Sequence, residues 1–176
     1  MNKTKIETFD YTWNPITGCT VGCHYCYARR IALRFQGNFE PKIHWDRLDE
    51  LSKLKMPARI FVCSMGDLYD KEVEEKWRIA VYVGLRKFRQ HQYFILTKQP
   101  QNIDDIGLLN LYGLNVFLGV TITGKDGLRR IEELRGKYLT LKWPQGFLKL
   151  FISFEPLLDD VGKLNLKDID WVILGA

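Results

Sequence analysis

Apolar residues along the chain fall into short, nearly continuous runs. The runs are Arg59–Ser64, Tyr93–Thr97, Val116–Thr121, Leu150–Phe154 and Trp171–Gly175. Each is rich in β-branched or aromatic residues and does not alternate with polar ones. That pattern predicts strands buried on both faces, as in a parallel sheet. A further strand is predicted near Tyr11–Trp13, leading into a loop that holds three cysteines.

Helical spacing fills the intervals. Val73, Trp77, Ala80, Val81, Gly84, Leu85 and Phe88 recur at steps of three and four and predict a helix over Glu72–Phe88. Asp70 is placed to cap it. Helices are also predicted over Cys26–Phe35, Ile103–Leu111 and Lys125–Arg135. Six strands with intervening helices predict an α/β fold with right-handed crossovers, forming a single domain over residues 1–176. A doubly wound sheet and a partial (β/α)6 barrel with parallel strands both fit the count. No G-x-G-x-x-G follows a strand, so the phosphate loop of the first is missing. The cysteine loop after the first strand tips the expectation towards the partial barrel.

Composition adds bounds. The chain of 176 residues is long enough for one sizeable core, and 46% hydrophobic with 27% charged residues argues against disorder. The apolar runs are too short to span a bilayer, and Met1–Asp10 lacks the apolar core of a secretory signal. The expectation is a cytoplasmic protein with no membrane contact. The net charge of +5 is spread over Arg29, Arg30, Arg34, Arg86, Lys87, Arg89, Arg129, Arg130 and Arg135. It permits an acidic partner such as nucleic acid or a nucleotide without demanding one.

Cys19, Cys23 and Cys26 carry the chemistry. Their spacing is C-x3-C-x2-C, within eight residues. Without an export signal, metal or redox chemistry is a better reading than disulfides. Three thiolates are one too few to close a four-ligand zinc or iron–sulfur site. Two readings follow. In one, a [4Fe–4S] cubane keeps one iron open. In the other, His24, His44 or Cys63 completes a zinc site, although zinc ligands usually come as two separated pairs. Cys63 lies in an apolar run and reads as a small buried hydrophobe. Gly18 and Gly22 allow the loop to turn tightly.

The segment Thr12-Trp-Asn-Pro-Ile-Thr-Gly-Cys19, with Cys23, Cys26, Tyr27 and Ala28, resembles an uncharacterised family of phage and microbial proteins. That family has a TWNP…GC…C..CYA signature and is assigned to the radical S-adenosylmethionine (SAM) superfamily. Phe61–Leu68, Phe94–Lys98, Gly119–Thr121, Ser153–Leu157 and Trp171–Gly175 resemble it in the same order. Many relatives have a longer gap between the first two cysteines; the gap of three here is the superfamily's commonest spacing. Relatives continue beyond the last strand, so a truncated or minimal core is expected.

The resemblance implies a partial barrel of radical SAM type, with the cluster at the C-terminal ends of its strands. It implies that the open iron takes the amino and carboxylate groups of SAM. Reductive cleavage then gives methionine and a 5′-deoxyadenosyl radical, which acts on an unknown substrate, with an external electron donor. It also implies cofactor contacts. Tyr25 lies near the adenine. Ser64, Met65, Gly66 and Asp67 form the turn that meets the methionine amino group. Thr121 touches the ribose and Lys98 meets an anionic group. Glu155, Gly175 and Ala176 face the site from the last two strand ends.

Other residues have blander expectations. Trp13 and Pro15 read as structural, and Asn14 either as structural or as a hydrogen bonder near the cluster. His24 reads as exposed, His44 and Trp45 as a lid or surface turn, and His91 as a solvent-facing turn residue. Trp77, Tyr82 and Phe88 read as core. A different class of function also fits: a non-catalytic iron–sulfur binding module associated with nucleic acid or a protein. Release of 5′-deoxyadenosine separates it from an enzyme.

Overall fold

In chain order, β1 (Asn2–Lys3) and β2 (Tyr11–Trp13) come first, then a small ribbon of β3 (Ile16–Thr17) and β4 (Lys42–Ile43). Helix α1 (Tyr27–Gln36) lies between the ribbon's two strands in sequence. The chain then alternates β5 (Arg59–Val62), α2 (Glu75–Lys87), β6 (Gln92–Thr97), α3 (Asp105–Leu111), β7 (Val116–Thr121) and α4 (Arg129–Thr140). It ends with β8 (Leu148–Phe154) and β9 (Trp171–Leu174). Short 3-10 segments occupy Trp45–Lys53, Pro100–Asn102 and Lys125–Gly127. The computed structural model describes residues 1–140 and 148–175.

Among the described residues the main sheet has seven strands, in the order β1-β2-β5-β6-β7-β8-β9. Among the described residues only β1 is antiparallel in this sheet; the other six strands pair in parallel, each with the next strand of the same sheet along the chain. The α/β class and the parallel strands expected from the sequence are present. Strand order never reverses, which separates this sheet from a doubly wound one. The sheet is not closed into a barrel, because β1 and β9 are its two edges.

Period-two alternation divides the strand side chains between two layers. Ile60, Val62, Tyr93, Ile95, Val116, Leu118, Val120, Leu150 and Ile152 pack with residues of α2, α3 and α4. The opposite parity, Phe61, Phe94, Leu96, Phe117, Phe151, Trp171 and Ile173, forms a second cluster with Phe9 and, among the described residues, no helix residue. Phe94 stacks on Phe117 with centroids 4.8 Å apart and planes 15° apart. Gly119 lies level with Leu96 and Phe151 in the register. A Cβ there would overlap the Phe151 ring. Its missing side chain makes room for that aromatic layer. No helix among the described residues is long and apolar enough to cross a membrane.

Three local expectations are corrected. Helix α2 starts at Glu75, not Glu72, because Asp70 is engaged elsewhere and Glu74 holds the N-cap position. His91 is fully buried rather than solvent-facing, with its ring edge-on to Tyr93 at 6.0 Å. Apolar contact outweighs the wish of the imidazole for water, and burial lowers its pKa. The ribbon β3–β4 and the 3-10 segment Trp45–Lys53 are additions, too short for periodicity to reveal. Trp13 is fully buried and donates from its indole nitrogen to the Arg47 carbonyl at 2.8 Å, as befits a structural role.

Gly119→Ala is expected to cost about 1–3 kcal/mol by overpacking against Phe151. Gly136→Ala in α4, where a Cβ meets nothing within 4 Å, is expected to add roughly 0.5–1 kcal/mol through helix propensity. Urea midpoints of the two variants check the contrast.

Candidate functional site

The loop from β3 to α1 begins at Gly18, whose φ of 91° suits a residue without a Cβ. A Cβ at Gly18 would overlap the Glu40 carbonyl. Gly18 forms a parallel bridge with Gly66 and donates from its amide to the Met65 carbonyl at 2.9 Å. A Cβ on Gly66 would come 2.7 Å from the Gly18 carbonyl oxygen. Two glycines therefore allow the cysteine loop to lie directly on the loop after β5.

Two buried carboxylates hold these loops together. Asp70 accepts from the Thr20 amide at 2.7 Å and from the Thr20 hydroxyl at 3.0 Å. It also accepts from the Glu72 amide at 3.0 Å and the Gln99 side-chain amide at 2.8 Å. It thus ties the cysteine loop to the loop after β6, instead of capping α2. Asp67 accepts from the Tyr69 amide at 3.0 Å, the Thr97 hydroxyl at 2.7 Å and the Lys98 amide at 3.0 Å. Asn14 adds a third tie, its Oδ1 accepting from the Ser64 hydroxyl at 3.1 Å and the Met65 amide at 2.9 Å.

The two carboxylates respond oppositely to burial. Burial pushes Asp70 up, but its four donors outweigh that and leave its pKa below the usual carboxylate value. Burial dominates at Asp67 and raises its pKa despite the donors at Lys98, Thr97 and Tyr69. Burial also pushes the Cys19 thiol up, and the charges of Asp67 and Asp70 add to it. A cation beside Cys19 would favour its thiolate.

Cys19, Cys23 and Cys26 line one cavity of about 280 Å³ at the C-terminal ends of the parallel strands. All three are half-buried free thiols. The Val21 amide donates to Cys19 Sγ and the Arg29 amide to Cys26 Sγ, each at 3.4 Å. Cys26 is the N-cap of α1, where the helix dipole favours negative charge. Among the described residues, no three His, Cys, Asp or Glu side chains converge on a single ion position. His24 is exposed, and His44 Nε2 lies 2.8 Å from the Thr17 hydroxyl. Cys63 is buried in the core, and burial raises its thiol to about 12. It nevertheless touches the cavity.

The cavity also gathers Tyr25, Ser64, Gly66, Asp67, Lys98, Thr121 and Glu155. Lys98 lies over the Tyr25 ring, 5.6 Å from its centroid, and so bridges the cysteine loop and the end of β6. Burial pushes the Tyr25 hydroxyl up to about 12, with Cys23 adding and Thr123 opposing. Thr121 is buried, and its carbonyl accepts from Arg130 at 2.8 Å. Glu155 is exposed and accepts from the Ser153 hydroxyl at 3.2 Å. Met65 does not line the cavity; its backbone holds Gly18 instead. Gly175 lies beside Glu155, where a Cβ would overlap that side chain, but it also stays out of the lining. Ala176 lies outside the described residues.

Sequence reasoning missed Tyr27, Phe39 and Thr97, which also line the cavity. Tyr27 donates from its hydroxyl to the Ser64 carbonyl at 2.7 Å, closing α1 onto the loop after β5. Its position directly after Cys26 was the available signal.

A family model described as a protein of unknown function, DUF5131, matches residues 3–176. The chain belongs to that family. No curated protein and no solved structure matches it.

Asp70→Asn is expected to cost about 1–3 kcal/mol at neutral pH, because it unbalances four buried hydrogen bonds. Because the folded pKa of Asp70 is lowered, its share of stability is present above the ordinary carboxylate value. It is lost as pH falls through the lowered value. The variant is therefore expected to lose less further stability than the wild type on acidification from about pH 5 to 3. Urea titrations across that range check it.

Proposed function

We propose that this chain is a radical SAM protein. In this reading Cys19, Cys23 and Cys26 hold one [4Fe–4S] cluster, and the adjoining cavity receives SAM. The observation that carries the reading is the meeting of these three thiols with four strand-end loops around one cavity. The donor set fits a cluster. Three thiols lining one cavity could each take one iron of a cubane and leave the fourth iron open.

The finer fold assignment is a partial (β/α)6 barrel. Six parallel strands in sequence order support it, as does an aromatic layer free of helix residues on the opposite face from α2, α3 and α4. When bound, the cluster supplies the electron that cleaves the C–S bond of SAM and starts radical chemistry.

The protein's own residues position and enclose. The amides of Val21 and Arg29 support two of the sulfurs. Tyr25 offers an aromatic face to a base, and Lys98 an ammonium to a carboxylate. Thr121 and Glu155 offer oxygens to hydroxyl or amino groups. Phe61 and Leu96 wall the cavity with apolar surface and limit water. Asp67 lines the cavity and, through Thr97 and Lys98, keeps the strand-end loops in register.

Anaerobic reconstitution tests this directly. About four irons and four sulfides per chain are expected, falling to near zero in Cys19→Ala, Cys23→Ala or Cys26→Ala and unchanged in Cys63→Ala. With dithionite and SAM, release of methionine and 5′-deoxyadenosine is expected. Full iron loading without 5′-deoxyadenosine would leave only an iron–sulfur binding module. Zinc without sulfide would overturn both.

A further inference from the structure

Helices α2 and α3 lie side by side and run the same way. Arg78 pairs with Asp104 at 3.3 Å near their N-termini, and Arg86 donates to the Asn110 carbonyl at 2.9 Å near their C-termini. Between these points Gly107 lies so close to Tyr82 that a Cβ would overlap its hydroxyl. Val81, Leu85, Leu108 and Leu111 are buried in the core. The outward side is apolar as well. Ile79 and Val83, one turn apart on α2, are 39% and 57% exposed, and Ile106 and Leu109, one turn apart on α3, are 48% and 57% exposed. A surface helix ordinarily turns one apolar stripe to its core and polar residues to water. A second apolar stripe, shared by two neighbouring helices, marks a contact surface.

Charge is sorted along that surface. Glu72, Glu74, Glu75, Asp104 and Asp105 gather around the two N-termini, and Lys71, Lys76 and Arg78 share that end. Lys76 pairs with Glu74 at 2.7 Å and Arg78 with Asp104, which leaves an acidic excess. No further carboxylate occurs between Glu75 and Asp104 in the sequence. The other end of α2 carries Arg86, Lys87 and Arg89, of which Lys87 pairs with Asp49 at 2.9 Å. Glu75, Asp105, Arg86 and Arg89 are exposed and, among the described residues, form no ion pair. Arg86 and Arg89 are instead oriented by the backbone carbonyls of Asn110 and Gly113, which hold the guanidinium groups without neutralising them.

We propose that the α2–α3 face pairs with a second copy of this chain about a two-fold axis. A two-fold rotation sets the helices of one copy antiparallel to those of the other, so the acidic end of each meets the basic end of its partner, twice over. Ile79, Val83, Ile106 and Leu109 of the two copies bury one another in the middle. An apolar centre with a charged rim is the composition of a protein–protein contact. A parallel arrangement would set like charges together. An anionic bilayer would accept the apolar stripe and the basic end but repel Glu72, Glu75 and Asp105. A nucleic acid would meet the same repulsion and leave the four aliphatic side chains in water. The proposal is independent of what the cysteines hold.

Sedimentation equilibrium of the full chain, with reductant present so that thiols cannot cross-link, tests it. The wild type is expected to show a reversible monomer–dimer equilibrium with a dissociation constant of about 100 µM or tighter. Val83→Gln/Leu109→Gln, at two exposed positions, is expected to weaken it about tenfold or more. Arg86→Glu/Arg89→Glu and Glu75→Lys/Asp105→Lys are each expected to weaken it by about tenfold or more, because each variant puts like charges at both ends of the contact. An equimolar mixture of these two charge variants is expected to recover the wild-type dimer, since every contact in the mixed pair again joins opposite charges. That recovery also shows that both variants are folded. A wild type that stays monomeric at several times that concentration would overturn the proposal, as would a dimer indifferent to all three variants or a mixture that fails to recover. Binding of a monomeric chain to phosphatidylglycerol vesicles, lost in Val83→Gln/Leu109→Gln, would assign the face to a membrane and overturn it too.

Discussion

The cysteine loop has no core of its own, so its shape depends on what it is bonded to. Asp70 is the main tether, bringing Thr20 of that loop and Gln99 of the loop after β6 onto one buried carboxylate. Asp67 does the same for the loops after β5 and β6. Asn14 and Tyr27 close the remaining sides onto Ser64 and Met65. Buried carboxylates are tolerated where donors compensate them. Here those donors come from the segments that must be held in register, so the cost of burial and the precision of the site have the same source.

The sheet supplies the platform for these tethers. Parallel strands in sequence order bring their C-terminal ends, and hence their loops, to one edge. Apolar residues of one parity bind the helices, while the other parity forms an aromatic layer leading up to Lys98, Thr121 and Glu155. The cavity is the continuation of that layer beyond the strand ends. Fold and site are consequences of one alternation along each strand.

Much of this was legible before any coordinates. Tyr11–Trp13 and the five apolar runs coincide with strands, because strands buried on both faces must be apolar throughout. The cysteine spacing singled out the loop, since few other structures need three thiols within eight residues. The roles of Asp67 and Asp70 were not legible. A buried carboxylate and an exposed one are the same letter, and only the fold shows which donors surround each. Asp70 looked like a helix cap because it precedes a periodic stretch, yet its partners lie fifty and twenty-nine residues away. His91 misled for a related reason: a polar letter between helix and strand suggests a turn, while packing against Tyr93 buries it. Open or closed sheet edges were likewise beyond local pattern, since curvature is a property of the whole sheet.

The central claim is that the three cysteines hold a cluster with one iron open to SAM. The most direct measurement is the electron paramagnetic resonance spectrum of the reduced, anaerobically reconstituted protein, recorded before and after adding SAM. A reduced [4Fe–4S] signal whose g-values shift when SAM is added is the expected result. A cluster signal indifferent to SAM, or no iron–sulfur signal at all, would contradict it.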